Sequence, residues 1–312
     1  MITLNSGQND AKTYSGKKYG AIVMTALVSA NVVNVGIVEH DFLPQNLTIE
    51  ASLLRNGKNH QICAGNGDSL LPASNFETGG FDFFQPGFAT NTGYQILASA
   101  GGVVKEQGIV TVVIPFGSVL DLTKGGQISL KANAATGIFS SAIDTTISNV
   151  TLDLVEIEGQ EIGLPQILTQ VVSPNEVNPQ FTPGNGVKSV YFINRDKAGI
   201  TTANQVISQA TTDASGRSSS WNYQQLIAMR GNQFQSIDEG TKRAQSFCLL
   251  PYNPTKLYFG VSCRPTLVSA NVTSSKNYFV AWRISPSSES LAIGQNELVD
   301  YRNKLNAYLN QA

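Results

Sequence analysis

Few residues in this chain have the type and spacing to do chemistry. Glu77 and Asp82 form the best local pair of carboxylates. Two carboxyl groups held about 5–9 Å apart can act as acid and nucleophile, or acid and base, in glycoside hydrolysis. Both stand in a Gly-, Asn- and Phe-rich stretch, where carboxylates also cap turns. His40 and His60 are the only histidines, and His40-Asp41 has the composition of a base with an orienting carboxylate. Adjacent strand residues point to opposite faces, so that pair does not form if a strand continues there. Asp153, Glu156 and Glu158 read as the wet end of a strand. Asp196 and Asp213 fall in polar loops whose oxygens could hold structural calcium, although no spacing matches a calcium loop.

The nucleotide and nucleophile motifs are missing. There is no G-x-S-x-G, no H-E-x-x-H and no G-x-G-x-x-G after a strand, and at Gly57-Lys58 an Asn replaces the Ser or Thr of a P-loop. Cys63, Cys248 and Cys263 are too few for a disulfide framework and lack C-x-x-C spacing, so they read as reduced, buried thiols. The Asn-x-Thr sequons at Asn46, Asn149 and Asn271 lie in or beside strand signals of a chain rich in both residues. The residues assign no catalytic, cofactor or metal site, and the expectation is a protein that is not an enzyme and needs no cofactor.

The elements around these residues are strands. Leu47, Ile49, Ala51 and Leu53 alternate with Thr48, Glu50 and Ser52, the period of a half-buried strand. Arg55-Asn56-Gly57-Lys58 follows, with the Asn-Gly of a tight hairpin, and His60–Cys63 reads as the return. Further strands are expected at Tyr94–Ser99, Ile109–Phe116, Gln127–Ala132, Ile147–Glu158, Val187–Asn194, Gln245–Leu250, Lys256–Arg264, Thr266–Thr273 and Asn277–Ile284. Gly20–Val38 has no charged residue until Glu39, but Val and Ile dominate it and polar residues interrupt it. It reads as two strands with a break near Ser29–Asn31, not as a membrane helix. Trp221–Arg230 fits strand or helix equally. Glu297–Leu309 places Leu298, Tyr301, Leu305, Tyr308 and Leu309 at helical spacing.

Residues 64–93 read as a long irregular loop packed by its own Phe side chains. Ser173–Gly186, with its prolines, glycines and asparagines, is the best linker. The expected division is an N-terminal arm over 1–19, a first β unit over 20–165, a second over 166–288, and a C-terminal helical segment over 289–312. Each unit has roughly the size of an eight-stranded jelly roll or an immunoglobulin-like sandwich.

Composition narrows the function. Of 312 residues only 14% are charged, against about 25% in an ordinary domain, and the net charge is −1. Ser, Thr, Asn and Gln total 98 residues. A helical bundle would be rich in Glu, Lys and Arg, and a nucleic-acid binder would carry a basic excess. A neutral, amide-rich surface with long loops suits a protein that packs closely against copies of itself, because low charge lowers their repulsion.

In its organisation the chain resembles the double jelly-roll major capsid proteins of tailless, icosahedral, membrane-containing viruses, especially the small forms in lipid-containing bacteriophages. The resemblance rests on Leu47–Leu54 running into the Arg55-Asn56-Gly57-Lys58 turn and on the Ile109–Phe116 strand. It continues through a short helical stretch at Ser118–Lys124, Gly125-Gly126 and Gln127–Ala132. Val187–Asn194, followed by the polar excursion Arg195–Ser220, carries it into the second half. It implies a mostly β fold of two consecutive eight-stranded jelly-roll barrels with long loops and a C-terminal α-helix. It also implies a trimer, made in the host cytoplasm, that tiles an icosahedral capsid shell around an internal membrane vesicle. The implied partners are other copies, minor capsid or vertex proteins and nearby lipid, with no direct nucleic acid; Lys12, Lys17 and Lys18 would face the vesicle or a neighbour. The alternatives are a carbohydrate-binding, lectin-like sandwich using the aromatic and amide-rich loop Phe76–Tyr94, and a glycoside hydrolase using Glu77 and Asp82.

Overall fold

A computed structural model of the chain describes residues 1–32, 42–78, 92–98, 104–139, 146–173, 179–194, 209–214, 217–222, 253–258, 262–263, 266–267 and 277–285. The first half contains β1 (Ile2–Leu4), β2 (Gln8–Tyr14), β3 (Lys18–Val32), β4 (Leu47–Arg55), β5 (Lys58–Asn66), α1 (Gly67–Glu77), β6 (Thr92–Ala98), β7 (Val104–Asp121), β8 (Gln127–Ala134) and β9 (Asn149–Glu156). The second contains β10 (Leu164–Val172), β11 (Gly184–Asn185), β12 (Val187–Asn194), β13 (Gln209–Ala214), β14 (Arg217–Asn222), β15 (Asn253–Tyr258), β16 (Ser262–Cys263), β17 (Thr266–Leu267) and β18 (Asn277–Ser285).

Alternation builds the first core. Ile22, Met24, Ala26 and Val28 of β3, Val112 and Ile114 of β7, and Val150, Leu152 and Leu154 of β9 are buried on one side of a five-stranded sheet, ordered β1-β9-β3-β7-β6. Leu47, Ile49, Ala51 and Leu53 of β4 and Ile128, Leu130, Ala132 and Ala134 of β8 belong to the second sheet, and both sets join one continuous hydrophobic cluster. Each Val, Leu, Ile or Met among them contributes about 1.5–3 kcal/mol by leaving water, so this sandwich is the main stabilising block. The β4–β5 hairpin turns on Asn56 and Gly57, at φ 52° and 71°. Positive φ at both turn residues makes a turn whose twist matches the strands, which is why Asn-Gly signalled it.

The second sheet has eight strands, ordered β15-β12-β18-β10-β5-β4-β8-β2, and so draws on both halves of the chain. They meet where β10 runs parallel to β5, with Ile167 opposite Cys63. Beside that pair Thr169 Oγ1 donates to the Ala64 carbonyl at 3.0 Å. The chain crosses between the halves over residues 157–163. The Pro-rich segment Ser173–Gly186 instead joins β10 to β11 and β12, and Phe181 within it stacks on Phe279 at 5.3 Å.

Several expectations are corrected. Residues 1–19 are not a free arm: β1 pairs with β9, and β2 pairs with β8 from Gln8–Ala134 to Tyr14–Ile128. β2 gave no sequence signal because its first six residues are exposed, so no apolar alternation marks it. There is no break at Ser29–Asn31, since β3 continues to Val32 and these residues pair with Lys105–Gln107 of β7. Ser118–Lys124 is not helical: β7 runs to Asp121 and a turn follows. The irregular stretch over 64–93 contains the end of β5, all of α1 and the start of β6. α1 was hidden because it is buried all round, at Asp68, Ser69, Leu70, Leu71, Ala73 and Ser74, and carries Pro72 inside. A helix covered on every side shows no apolar stripe. The polar excursion Arg195–Ser220 contains β13 and most of β14, which pair as a hairpin, and Trp221 and Asn222 complete β14. The C-terminal helix Glu297–Leu309 and the strand Gln245–Leu250 lie outside the described residues. Among the described residues no helix is long and apolar enough to cross a membrane.

Candidate functional site

Those candidate chemical residues that are described do not converge. Glu77 ends α1 and accepts a hydrogen bond from the Tyr191 hydroxyl at 2.5 Å, so its carboxylate ties α1 to β12. Asp82, His40, Asp41, Asp196 and most of the aromatic loop Phe76–Tyr94 lie outside the described residues. His60 is half-buried, with Nε2 2.9 Å from the Pro165 carbonyl, where it links β5 to β10. Asp153 accepts from the Tyr14 hydroxyl at 2.6 Å. Burial works against its charge, but bonds from Tyr14, the N-terminal amine and the Leu154 amide outweigh that and hold its carboxyl below the usual range. Glu156 pairs with Lys17 at the surface. Among the described residues no three His, Cys, Asp or Glu side chains cluster as metal ligands.

Burial pushes the Cys63 thiol up to about 12 from an ordinary 9.0. A raised folded value means that stability from the neutral thiol is complete below about pH 9 and is lost as pH rises through about 12. A thiol so placed is unreactive. Peptide-resolved alkylation at neutral pH is expected to leave Cys63 unlabelled in the native protein and to label it fully in denaturant. Rapid native labelling would contradict its burial.

The polar groups that do converge lie at the junction of the two halves, and they are structural. Asp68, in the first turn of α1 and fully buried, accepts from the Tyr278 hydroxyl of β18 at 2.8 Å. The carboxylates near the two ends of α1 therefore each hold a tyrosine from the second half. Trp282 Nε1–H donates to the Pro115 carbonyl of β7 at 2.8 Å. Lys188 Nζ donates to the Gly117 carbonyl at 2.8 Å, and Ser118 Oγ donates to the Gly163 carbonyl at 2.8 Å. Arg55 grips Glu161 of the 157–163 crossing through two bonds, at 2.6 and 3.0 Å. Sequence reasoning missed all of these, because their partners lie 40 or more positions apart and no local pattern joins them. Replacing Tyr278 with Phe is expected to cost about 2 kcal/mol in urea denaturation, since a buried carboxylate loses a donor. A cost below about 0.5 kcal/mol would show that Asp68 is satisfied without it.

The arrangement joins two β units rigidly and presents no assembled catalytic or metal-binding geometry among the described residues. No protein-family model matches the sequence, and no curated protein matches it. Solved structures do match. A chain of the atomic structure of Sulfolobus Turreted Icosahedral Virus is 14% identical, with a TM-score of 0.55, over 96% of this chain and 95% of that one. The STIV MCP crystal structure is 12% identical, with a TM-score of 0.48, over 90% and 92%. The major capsid protein P2 from Bacteriophage PM2 is 8% identical, with a TM-score of 0.45, over 92% and 98%. The first of these spans both halves and their junction, and with the mostly β architecture described above it shows that this chain shares the double jelly-roll fold of that virus chain.

Proposed function

We propose that this protein is a structural major capsid protein of a virion. The observation that carries the reading is the fold likeness to a chain of an icosahedral virus over 96% of this chain. Two jelly rolls, dividing near residue 165, make one stiff tile. The buried Trp282 and Asp68 contacts and the half-buried Arg55 pair hold those halves in fixed relation, which a lattice subunit needs. A surface with few charges lets copies approach closely.

In the fuller form of the proposal, three copies form a trimer, and trimers tile an icosahedral shell around an internal membrane vesicle. Vertex or minor capsid proteins are further partners, and the chain carries out no catalysis. The near-neutral charge suits a shell that meets lipid and not the genome. The test is the mass of the purified protein together with electron micrographs. A species near three times 33.4 kDa, and closed particles at high concentration, are expected. A protein that stays monomeric and forms no particle at any concentration would overturn the reading.

A further inference from the structure

β2 closes one end of the eight-stranded sheet, and its first six residues are exposed. One edge of β2 pairs with β8; among the described residues nothing pairs with the other. The pairing fixes which groups point out. Ala135 N–H donates to Asn46, on the β4 side of β8, whereas the Ala134 carbonyl accepts from Gly7 on the β2 side. Backbone groups alternate along a strand, so Gln8, Asp10, Lys12 and Tyr14 bond to β8, and Asn9, Ala11 and Thr13 direct their N–H and C=O outward. The Ala11 N–H accordingly donates to the Asp10 carboxylate at 2.7 Å and not to β8.

We infer that this edge is a two-fold contact between copies of the chain, formed by antiparallel pairing centred on Ala11. A centre at Asp10 or Lys12 also lets the outward-pointing residues exchange backbone bonds, but it sets two like charges face to face in the close non-hydrogen-bonded position, and a centre at Ala11 does not. A centre at Ala11 sets Ala11 against Ala11, Asn9 against Thr13 and Thr13 against Asn9, with about six backbone hydrogen bonds. The same register sets Asp10 of each copy opposite Lys12 of the other, in the closer, non-hydrogen-bonded positions. Edge strands ordinarily use charge to repel a second copy. Repulsion in this register would need like charges on either side of Ala11, but the sequence has one of each sign, and the two attract. The Asp10 bond to the Ala11 amide keeps that amide satisfied in the unpaired chain and is exchanged for the Lys12 ammonium on pairing. An isologous contact of this kind closes on itself. The inference stands on β2 alone and does not depend on the shell reading.

Sedimentation of the full chain at low ionic strength tests it. The wild type is expected to show a concentration-dependent doubling of mass, from monomer to dimer or from one trimer to a linked pair of trimers, that weakens as salt rises. Asp10→Lys and Lys12→Asp each place two like-charged pairs across the axis, and each is expected to raise the dissociation constant of that step roughly tenfold or more. The double variant Asp10→Lys/Lys12→Asp restores both pairs and is expected to return within about threefold of wild type. If a reversal fails to fold, Ala11→Pro replaces it. It removes an N–H that β8 does not use, so it is expected to fold and to abolish the doubling. No doubling in the wild type, equal association in all variants, or a double variant as weak as the singles would each overturn the inference. Particles that form normally from the charge-reversed chains would leave the shell reading intact while this contact failed.

Discussion

Replacing Trp282 with Ala is expected to destabilise the protein by about 3–5 kcal/mol, with a further loss because the Pro115 carbonyl becomes unpaired. The indole is 1% exposed on β18, edge-on to the Tyr191 ring at 5.7 Å and bonded to β7 of the first half. Removing it opens a cavity at the junction, where α1, β7 and β12 cannot all close in. Native domains hold only about 5–15 kcal/mol in total, so this one side chain can decide whether the fold persists at 37 °C. Trp282→Phe separates the two contributions. It keeps most of the ring contact and loses the N–H donor, and is expected to cost about 1–2 kcal/mol. Urea denaturation followed by circular dichroism measures both. A cost below about 1 kcal/mol for the Ala variant would mean that the junction is not packed as described. If the junction couples the halves, both variants shift a single transition and do not split it in two.

What the sequence revealed and what it hid follow from where each signal lies. β4 was legible because one face is wet and the other dry, so Leu47 to Leu53 alternate with polar residues. Its hairpin was legible because only certain residues tolerate positive φ, and Asn56 and Gly57 supply them. β8 and β9 alternate in the same way, whereas β18 was legible as a run of apolar residues, with Tyr278 to Trp282 all buried. β2 stayed hidden because water covers both its faces, and α1 because protein covers it on every side. One partner of Glu77 stayed hidden for a related reason. Asp82, five positions away, lies outside the described residues, and the Tyr191 hydroxyl that bonds Glu77 is 114 positions away. Hydrogen-bond partners across a fold leave no spacing rule in a single chain. Composition, in contrast, is a property of the whole surface, and the scarcity of charge raises the expectation of self-packing without any residue pairing being known.

Arg55 and Glu161 should show the largest penalty among the charged residues of the first half. Their side chains are only 19% and 14% exposed. Glu161 accepts both guanidinium bonds and a third from the Asp121 amide at 3.0 Å, while Arg55 Nη2 also donates to the Asp121 carbonyl at 2.8 Å. Surface pairs contribute about 0–1 kcal/mol, because water serves either ion nearly as well. Here water is largely excluded, so removing one partner strands the other. Arg55→Met is expected to cost about 3 kcal/mol or more, and Arg55→Lys less, since it retains the charge but loses the planar fork. The double variant Arg55→Met/Glu161→Leu should be more stable than Arg55→Met alone, because no unpaired ion remains. Denaturation curves for the three variants decide it. A single variant within about 1 kcal/mol of wild type would place the pair with ordinary surface salt bridges. On the proposed capsid reading the position bears on assembly as well as stability. Glu161 sits in the 157–163 crossing, so the pair pins the one covalent link between the halves to the β4–β5 hairpin. A subunit that loses this pin keeps the shared sheet and the Trp282 and Tyr278 contacts but loosens the 157–163 crossing. The Arg55→Met chain is therefore expected to assemble more heterogeneously than its loss of stability alone would produce, and the double variant to share that defect while regaining stability.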